Sequence, residues 1–277
     1  ANPSYPRKSN LWGSSNMLAH GPEFASKVDL YLGAEMSASD IRALRERNPR
    51  MLVLTSINTV ENHGLPEDYF LHDTQGNKIE VWPGTYRLNL TKPYVAEYQA
   101  QWAYQKMLDS DLMYDGCFFD NFFTSQSWLK ADIHGRAVQL DADEDGKPDD
   151  PAWLDRAWRQ GVFYELSMWR RLMPHALATG HLPNPVTPEV GEVFNGNSIL
   201  FWSTNVLDGK TPFAEFDSVY RGWMEQGRAP VLNTIEASPQ NQIAYGYGYD
   251  INKSMPAATQ QFAREFYRYL RFPLAFT

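Results

Sequence analysis

The strongest candidate for chemistry is Asp120, which ends a short apolar run. The turn residues Asp115 and Gly116 lead into Cys-Phe-Phe, and Asp120 and Asn121 follow directly. An apolar run of this length bounded by turn residues is typical of a strand buried on both faces. In parallel α/β barrels, polar residues at the carboxyl end of such a strand lie in the active site. We therefore predict that Asp120 is catalytic; the alternative is a cap or a partner of a buried arginine.

A second carboxylate, Glu236, ends another predicted strand, Ala229–Glu236. In a closed parallel barrel the two strand ends would face one crevice. Glycoside hydrolysis requires such a pair: one carboxyl protonates the leaving oxygen, and the other attacks carbon or activates water. We assign Asp120 as general acid/base and Glu236 as nucleophile. The reverse assignment and a salt-bridged Glu236 both stay open.

Aromatic side chains near predicted strand ends are candidates for sugar binding, because the C–H faces of sugar rings stack on them. Each could equally fill the core. The Tyr-Gly-Tyr-Gly-Tyr stretch at 245–249 is too flexible for a core strand and favours a binding loop. Asn121 would hydrogen-bond a sugar hydroxyl. The predicted substrate-binding residues are Asn121, Trp12, Trp82, Phe122, Trp202, Tyr245 and Tyr247.

An acidic stretch at 141–150 matches the first half of a calcium loop, with carboxylates at alternate positions and a glycine at the turn. The residue at the last ligand position of such a loop, normally Glu, is Ala152, so Asp150 or Asp155 would substitute. The alternative is a solvated turn that caps the next helix. Because clustered carboxylates repel one another without a cation, we predict a structural Ca²⁺ ion. The predicted ligands are Asp141, Asp143, Asp145, Lys147 (through its carbonyl), Asp149 and Asp150.

The elements that would position these residues alternate between strand and helix, which indicates a parallel sheet. Ser37 and Asp40 have the spacing of a helix N-terminus. Two long polar connections, 61–90 and 125–151, are predicted insertions. The predicted strands are 10–13, 27–33, 50–58, the run ending at 120, 177–180, 198–202 and 229–236, and the predicted helices are 37–47, 93–108, 151–173, 213–226 and 256–274.

This order predicts an α/β fold: a (β/α)8 TIM barrel with long insertions in its βα loops. The 277 residues would form one domain, 1–277, with the acidic insertion at 125–151. Seven strands are predicted. Either an eighth escapes the prediction, or the chain is incomplete at its C-terminus, or the barrel closes in an unusual way.

Composition narrows the classes of function. A net charge of −8 argues against a nucleic-acid partner, and no apolar run approaches the length of a membrane-spanning helix. Cys117 is the only cysteine, so an intrachain disulfide is impossible, and its predicted strand favours a buried apolar role. The chain starts at Ala1 without Met. We expect a removed signal peptide and a secreted or periplasmic protein; the alternative is a trimmed chain.

Other catalytic arrangements have little support in the sequence. The six histidines show no metal-ligand spacing, and neither a Gly-x-Ser-x-Gly elbow nor a Gly-rich phosphate loop is present. We therefore predict no organic cofactor, and a metal-dependent hydrolase is a third choice. Taken singly, each histidine is expected at the surface or in packing. His20 and His63 are singled out as exceptions because both follow predicted strands.

Several segments together resemble a known group of enzymes, the hypothetical TIM-barrel glycosyl hydrolases. They are Asp115–Phe122, Phe70–Lys78 with Trp82-Pro83-Gly84, and Thr234–Glu236. The group is similar to endo-α-1,4-polygalactosaminidases and to the wider α-galactosidase-like barrels. The resemblance implies a barrel with an active-site aspartate after strand four, which corresponds to Asp120.

The same resemblance departs from the family pattern at strand six. In several relatives the second carboxylate follows that strand, whereas here it ends Phe201-Trp202-Ser203. Either the role of second catalytic carboxylate moves to Glu236, or the case for catalysis is weaker. Such chains also run past a segment like Arg271–Ala275 into a last strand, which favours an early end here.

The function predicted from these features is a glycoside hydrolase that cleaves a poly- or oligosaccharide with Asp120 and Glu236. The alternative is a non-catalytic carbohydrate-binding barrel, or one subunit of a two-chain assembly. The missing acid after strand six and the early end motivate that alternative. The expected partner is a carbohydrate, with no nucleic acid and no membrane, and the oligomeric state is open.

Overall fold

The computed structural model describes residues 7–199 and 202–235, without the side chains of residues 202–204. It divides into two compact units. One is Asn10–Pro183, and the other takes the described residues before Asn10 and after Pro183. Glu236, Tyr245, Tyr247 and the helix predicted at 256–274 lie outside the described residues.

Ten strands and five helices belong to the unit Asn10–Pro183, and the first strand begins one residue earlier, at Ser9. Its strands, in chain order, are β1 (Ser9–Leu11), β2 (Leu30–Ala34), β3 (Leu52–Asn58), β4 (Glu61–Asn62), β5 (His72–Asp73), β6 (Glu80–Trp82), β7 (Thr85–Arg87), β8 (Gly116–Asp120), β9 (Leu140–Asp141) and β10 (Leu177–Gly180). Its helices are α1 (Ser14–Ala19), α2 (Pro22–Ala25), α3 (Ala38–Arg45), α4 (Pro93–Asp109) and α5 (Pro151–Leu172), with a 3₁₀ turn at Glu67–Tyr69.

A five-stranded sheet forms the centre of this unit, in the order β1-β2-β3-β8-β10. The pairs β2–β3, β3–β8 and β8–β10 are parallel. All five residues of β2 and the first four of β8 are buried, as expected for strands with cover on both faces. The α/β class with a parallel sheet is therefore confirmed.

Helix α5 provides much of the cover for this sheet. Its buried residues recur every three or four positions and include Trp158, Val162 and Trp169. Trp169 meets Phe119 of β8 edge to face, with ring centroids 5.0 Å apart. Next to this stripe, a Cβ at Gly161 would lie 1.7 Å from the Leu90 carbonyl oxygen. The close approach of α5 to that segment therefore requires glycine.

The two long insertions contain more regular structure than predicted. Residues from 61 to 87 form an antiparallel sheet in the order β4-β7-β6, and β5 of the first insertion pairs with β9 of the second. These strands are two or three residues long. A segment this short carries too little alternation for its sequence to predict a strand.

The second unit has three helices and two strands among its described residues. They are α6 (Pro188–Val193), β11 (Ser198–Ile199), α7 (Trp202–Leu207), α8 (Phe213–Gln226) and β12 (Thr234–Ile235). Strands β11 and β12 pair in parallel. Helix α6 lies in a stretch for which the sequence predicted neither a helix nor a strand. One prediction is corrected: Trp202 begins a helix instead of ending a strand. Helix α8 has the predicted bounds.

Cys117 lies in the core, as predicted from its place in the apolar run. It is fully buried in β8, and burial raises the pKa of its thiol to about 12. The thiol therefore stays protonated and acts as a small apolar group. Among the described helices, none combines the length and hydropathy needed to cross a bilayer.

Replacing Gly161 by Ala should destabilise the protein by about 1–3 kcal/mol, because the new methyl group overpacks the α5 contact with Leu90. Gly222 of α8 is the matched control: a Cβ there would meet Val186 Cγ1 at an ordinary 3.5 Å. Gly222→Ala should be neutral or stabilising by up to about 1 kcal/mol, from helix propensity. Urea unfolding midpoints measure both. Equal effects of the two substitutions would contradict the close contact.

Candidate active site

Three neighbouring strands bring polar residues to one edge of the sheet. Asn58 ends β3 and pairs in register with Asp120, the last residue of β8. Gly180 ends β10, pairs with Phe119, and is followed by His181. Because the strands are parallel, their carboxyl ends meet at the same edge, which is where parallel α/β enzymes carry their chemistry.

Asp120 is hydrogen-bonded to His181. Asp120 Oδ1 lies 3.0 Å from His181 Nδ1, and the two side chains are 21% and 14% exposed. With Oδ1 as the acceptor, the histidine donates from Nδ1, both when the carboxyl is ionised and when it carries its proton on Oδ2. The contact fixes one carboxylate oxygen and leaves the other for a substrate.

The main chain of Asp120 is also held in place. The N–H and the hydroxyl of Thr59 both donate to the Asp120 carbonyl oxygen, at 3.1 and 2.9 Å. Thr59 directly follows β3, so these bonds continue the pairing of β3 and β8 by one residue. The carboxylate therefore starts from a backbone that is fixed on its β3 side.

Trp12 lies beside this pair. Its ring meets His181 and Phe118 edge to face, with centroid distances of 5.3 and 5.9 Å, and the residue is 48% exposed. A Cβ at Gly33 would lie 2.3 Å from Trp12 Cδ1, so glycine makes room for the ring. The position suits the predicted contact with a sugar ring.

Glu61 and Arg87 form a buried ion pair next to the ends of β3 and β8. Glu61 Oε1 accepts hydrogen bonds from the side-chain amides of Asn58 and Asn121, at 2.8 and 2.7 Å. Glu61 Oε2 lies 3.8 Å from Arg87 Nη1, and the two side chains are 7% and 4% exposed. We call Asn58, Glu61, Arg87 and Asn121 the Glu61 cluster.

The cation of this cluster stays charged despite its burial. Desolvation lowers the pKa of Arg87 to about 10, and the negative charge of Glu61 opposes that shift. The guanidinium carbon lies 5.4 Å from the Phe123 ring and 5.9 Å from the Trp128 ring. Both contacts are favourable cation–π distances. The cluster therefore balances its own charge.

The other predicted substrate-binding residues have different surroundings. Trp82 is 66% exposed at the end of β6, open to a ligand. Phe122 is 2% exposed and packs near Phe163, so its ring has no free face, and the prediction is corrected for this residue. Trp202 lies in α7, and its side chain is outside the described part.

The histidine that reaches the site is not one of those singled out from the sequence. His20 and His63 are exposed, whereas His181 bonds to Asp120. His181 directly follows the predicted strand Leu177–Gly180, and the rule that selected Asp120 could have selected it too. Glu61 offered no such signal, since it lies three residues beyond β3 in a long polar stretch.

The acidic stretch brings three of its six predicted metal ligands together. Asp141, Asp143 and Asp149 each have a carboxylate oxygen within 4.8 Å of the others. In contrast, Asp150 caps α5, because its carboxylate accepts the N–H of Trp153. Asp145 instead pairs with Lys147 across Gly146, and Lys147 Nζ lies 3.1 Å from Asp145 Oδ2.

Asp149 is the most perturbed carboxyl of this loop. Burial raises its pKa to about 6, and the carboxylates of Asp143, Asp141 and Asp145 add to the rise. The N–H of Ala142 donates to Asp149 Oδ2 at 2.7 Å and opposes it. The loop thus holds negative charge that a cation would stabilise.

Comparison with protein families finds a match over part of the chain. Residues 45–147 match a family model described as hypothetical glycosyl hydrolase family 15. The match covers less than half of the chain and includes Asp120 and the whole Glu61 cluster. It confirms the predicted resemblance to hypothetical glycosyl hydrolases and supports a glycosidase. No curated protein sequence matches the chain.

Several solved glycoside hydrolase structures are similar to this chain. An α-galactosidase from Lactobacillus brevis aligns with 98% of this chain and 41% of its own, with a TM-score of 0.51 and 11% identity. Ega3 from Aspergillus fumigatus, in complex with galactosamine, aligns with 94% and 86% (0.48, 13% identity). The glycoside hydrolase domain of PelA from Pseudomonas aeruginosa aligns with 69% and 67% (0.44, 16% identity). At 11% identity the likeness to the Lactobacillus brevis enzyme concerns the fold alone.

Asp149→Asn should change how stability depends on pH in chelator-treated protein. A carboxyl whose pKa is higher in the folded state binds its proton more tightly there, so stability falls as pH rises from about 4 to about 6. The variant should lose that part of the dependence. Thermal unfolding between pH 4 and 7 measures it, with Asp111→Asn, an exposed site outside the loop, as control. An unchanged pH profile in Asp149→Asn would contradict the shift.

Proposed function

We propose that this chain is a glycoside hydrolase in which Asp120 is one of two catalytic carboxylates. The observation that carries the proposal is the Asp120–His181 hydrogen bond at the carboxyl edge of the sheet, beside the half-exposed ring of Trp12. Glycoside hydrolysis needs a carboxylate held in a fixed orientation, and an aromatic ring beside it can stack on the sugar. The family match over residues 45–147 supports the same activity.

In this proposal Asp120 is the general acid/base and Glu236 is the nucleophile. The free oxygen of Asp120 would give its proton to the leaving oxygen, and Glu236 would attack the sugar carbon. Water would then release the sugar, with Asp120 as base. The reverse assignment uses the same two residues. The proposed contacts to the sugar are Asn121, Trp12, Trp82, Trp202, Tyr245 and Tyr247.

We propose a (β/α)8 barrel of one domain as the architecture that holds this site. The parallel sheet of Asn10–Pro183 supports it, as does the fold-level likeness to the Lactobacillus brevis α-galactosidase. The proposed substrate is a poly- or oligosaccharide, and the proposed location is secreted or periplasmic. The competing function is carbohydrate binding without cleavage.

The acidic loop is proposed to hold a structural Ca²⁺ ion. Asp141, Asp143 and Asp149 supply converging carboxylate oxygens, the ligands that Ca²⁺ prefers. A bound cation would also offset the repulsion that raises the pKa of Asp149. The ion would stabilise the insertion and take no part in the reaction.

Asp120→Asn should lower kcat by about 10³-fold or more while substrate affinity changes little, because an amide cannot transfer the proton. Glu236→Gln should lower kcat to a similar extent. Release of reducing sugar from a panel of polysaccharides measures turnover, and calorimetry on the same polysaccharides measures binding. Asp111→Asn is the control.

Two outcomes would contradict the proposed activity. If both variants keep wild-type turnover, the site is wrong. If the wild-type chain binds a polysaccharide but cleaves none, the binding function takes first place. For an active enzyme, NMR of the first-formed anomer distinguishes retention from inversion.

Adding Ca²⁺ to chelated protein should raise the unfolding temperature. At a free Ca²⁺ concentration of 100 times the Kd, binding adds about 2.7 kcal/mol to the free energy of unfolding. Asp143→Asn should abolish most of the gain, because it removes one converging oxygen. Scanning calorimetry with and without Ca²⁺ measures the unfolding temperature of each variant. Mg²⁺ is the control ion, and Asp111→Asn is the control variant. Equal gains in the wild type and Asp143→Asn would argue against the loop as the site.

A further inference from the structure

We propose that Glu61 is a positioning residue for Asp120, and that it acts through Asn121. The inference rests on the function proposed above. Asn121 directly follows Asp120, and its side-chain amide donates to Glu61 Oε1 at 2.7 Å. Glu61 thereby fixes the backbone on one side of the catalytic residue, while Thr59 fixes its carbonyl.

The backbone of Asn121 shows why a fixing contact is needed there. Its φ is +54°, in the left-handed region that side chains other than glycine rarely adopt. Asparagine tolerates this region because its short amide can hydrogen-bond nearby. Here the acceptor is a carboxylate, which makes a stronger, charge-assisted bond. The contact with Glu61 therefore holds a strained turn at the exit of β8.

A single oxygen of Glu61 joins two strand ends. Oε1 also accepts the side-chain amide of Asn58, at 2.8 Å, and Asn58 pairs with Asp120 in the sheet. The exits of β3 and β8 are thus tied to the same atom. Arg87, at 3.8 Å from Oε2, compensates the buried negative charge.

The geometry favours positioning over proton transfer for Glu61. The Glu61 side chain is 7% exposed, and two amides already occupy Oε1. A catalytic acid needs an oxygen that reaches the substrate. Asp120 keeps such an oxygen, because His181 engages only Oδ1.

Two substitutions of Glu61 separate the roles. Glu61→Gln keeps an oxygen that can accept both amides, so kcat should stay within about 10-fold of wild type. Glu61→Ala removes the acceptor and should lower kcat about 100-fold at nearly constant KM, as expected for a misplaced catalytic group. Circular dichroism confirms folding of each variant. Equal large losses in two folded variants would show that Glu61 itself reacts, and would overturn the proposal.

Asn121 provides a test that holds even if Glu61→Gln fails to fold around Arg87. Asn121→Gly accepts the positive φ but loses the contact, so it should fold normally and lose about 10-fold or more in kcat at nearly constant KM. A rise in KM at wild-type kcat would instead report loss of the proposed sugar contact and would contradict the positioning role. Asn121→Asp places a carboxylate against Glu61. Its unfolding temperature should fall relative to wild type as pH rises through the range in which carboxyls ionise, about 4–6. Arg87 would attract the new carboxylate, but its single positive charge already compensates Glu61, and the neighbouring Asp120 adds to the repulsion, so the sign holds.

Asn77→Asp is the matched control for this test. Asn77 Nδ2 lies 3.3 and 3.2 Å from the two carboxylate oxygens of Asp73, in a turn outside the site. Its replacement should also lower stability with rising pH, but kcat should stay at the wild-type value. The pair of variants thus separates the chemistry of an Asn–carboxylate contact from its position.

The readouts distinguish a failed positioning role from a failed function. If Asp120→Asn keeps full activity, the proposed function falls, and with it the role of Glu61 in catalysis. If Asp120→Asn is inactive but Asn121→Gly keeps wild-type kcat, only the positioning role falls. An Asn121→Asp variant whose stability follows the wild-type pH profile would overturn the contact itself.

Discussion

The parallel pairing of β3 with β8 is the constraint on which the site depends. It runs from Leu54 opposite Gly116 to Asn58 opposite Asp120, and Thr59 extends it by one residue. On the other side of β8, a Cβ at Gly116 would lie 1.8 Å from the Leu177 carbonyl oxygen. The close approach of β10 therefore requires glycine at the first residue of β8. The pairing therefore defines the backbone at the end of β8, and the side chains of Glu61, Asn121 and His181 complete the positioning of the carboxylate.

Glu61 and Asp120, the two carboxylates next to the ends of β3 and β8, have different surroundings, and the reason is electrostatic. Glu61 is buried, and a buried charge is unfavourable unless it is paired and hydrogen-bonded. Arg87 and two side-chain amides meet that requirement. Asp120 is partly exposed, so one histidine is sufficient, and one oxygen stays accessible. Glu61, which has more hydrogen-bond and charge partners, supports the structure. Asp120, with one histidine partner, is better suited to catalysis.

The features that the sequence predicted correctly depend on interactions between residues close together in the chain. The apolar run before Asp120, the capping box at Ser37 and the helix α8 all follow from residues close in sequence, and the structure agrees with each. The Glu61 cluster could not be predicted, because it joins residues as far apart as 58 and 121. The pairing of β5 with β9 is non-local too, and α6 and α7 are only six residues long. Such short elements depend on tertiary packing more than on their own sequence.

The acidic loop is shaped by backbone groups as well as by its carboxylates. The buried side-chain amide of Asn89, just before α4, donates to the Ala142 carbonyl oxygen at 2.8 Å, and the Ala142 N–H donates to Asp149. The N–H groups of Asp145 and Gly146 both donate to Asp141. The turn therefore has its own hydrogen bonds, and a bound cation would find ligands already in place. Preformed ligands lose little conformational entropy on binding, which supports the proposal of a Ca²⁺ ion in a loop that lacks the full twelve-residue pattern.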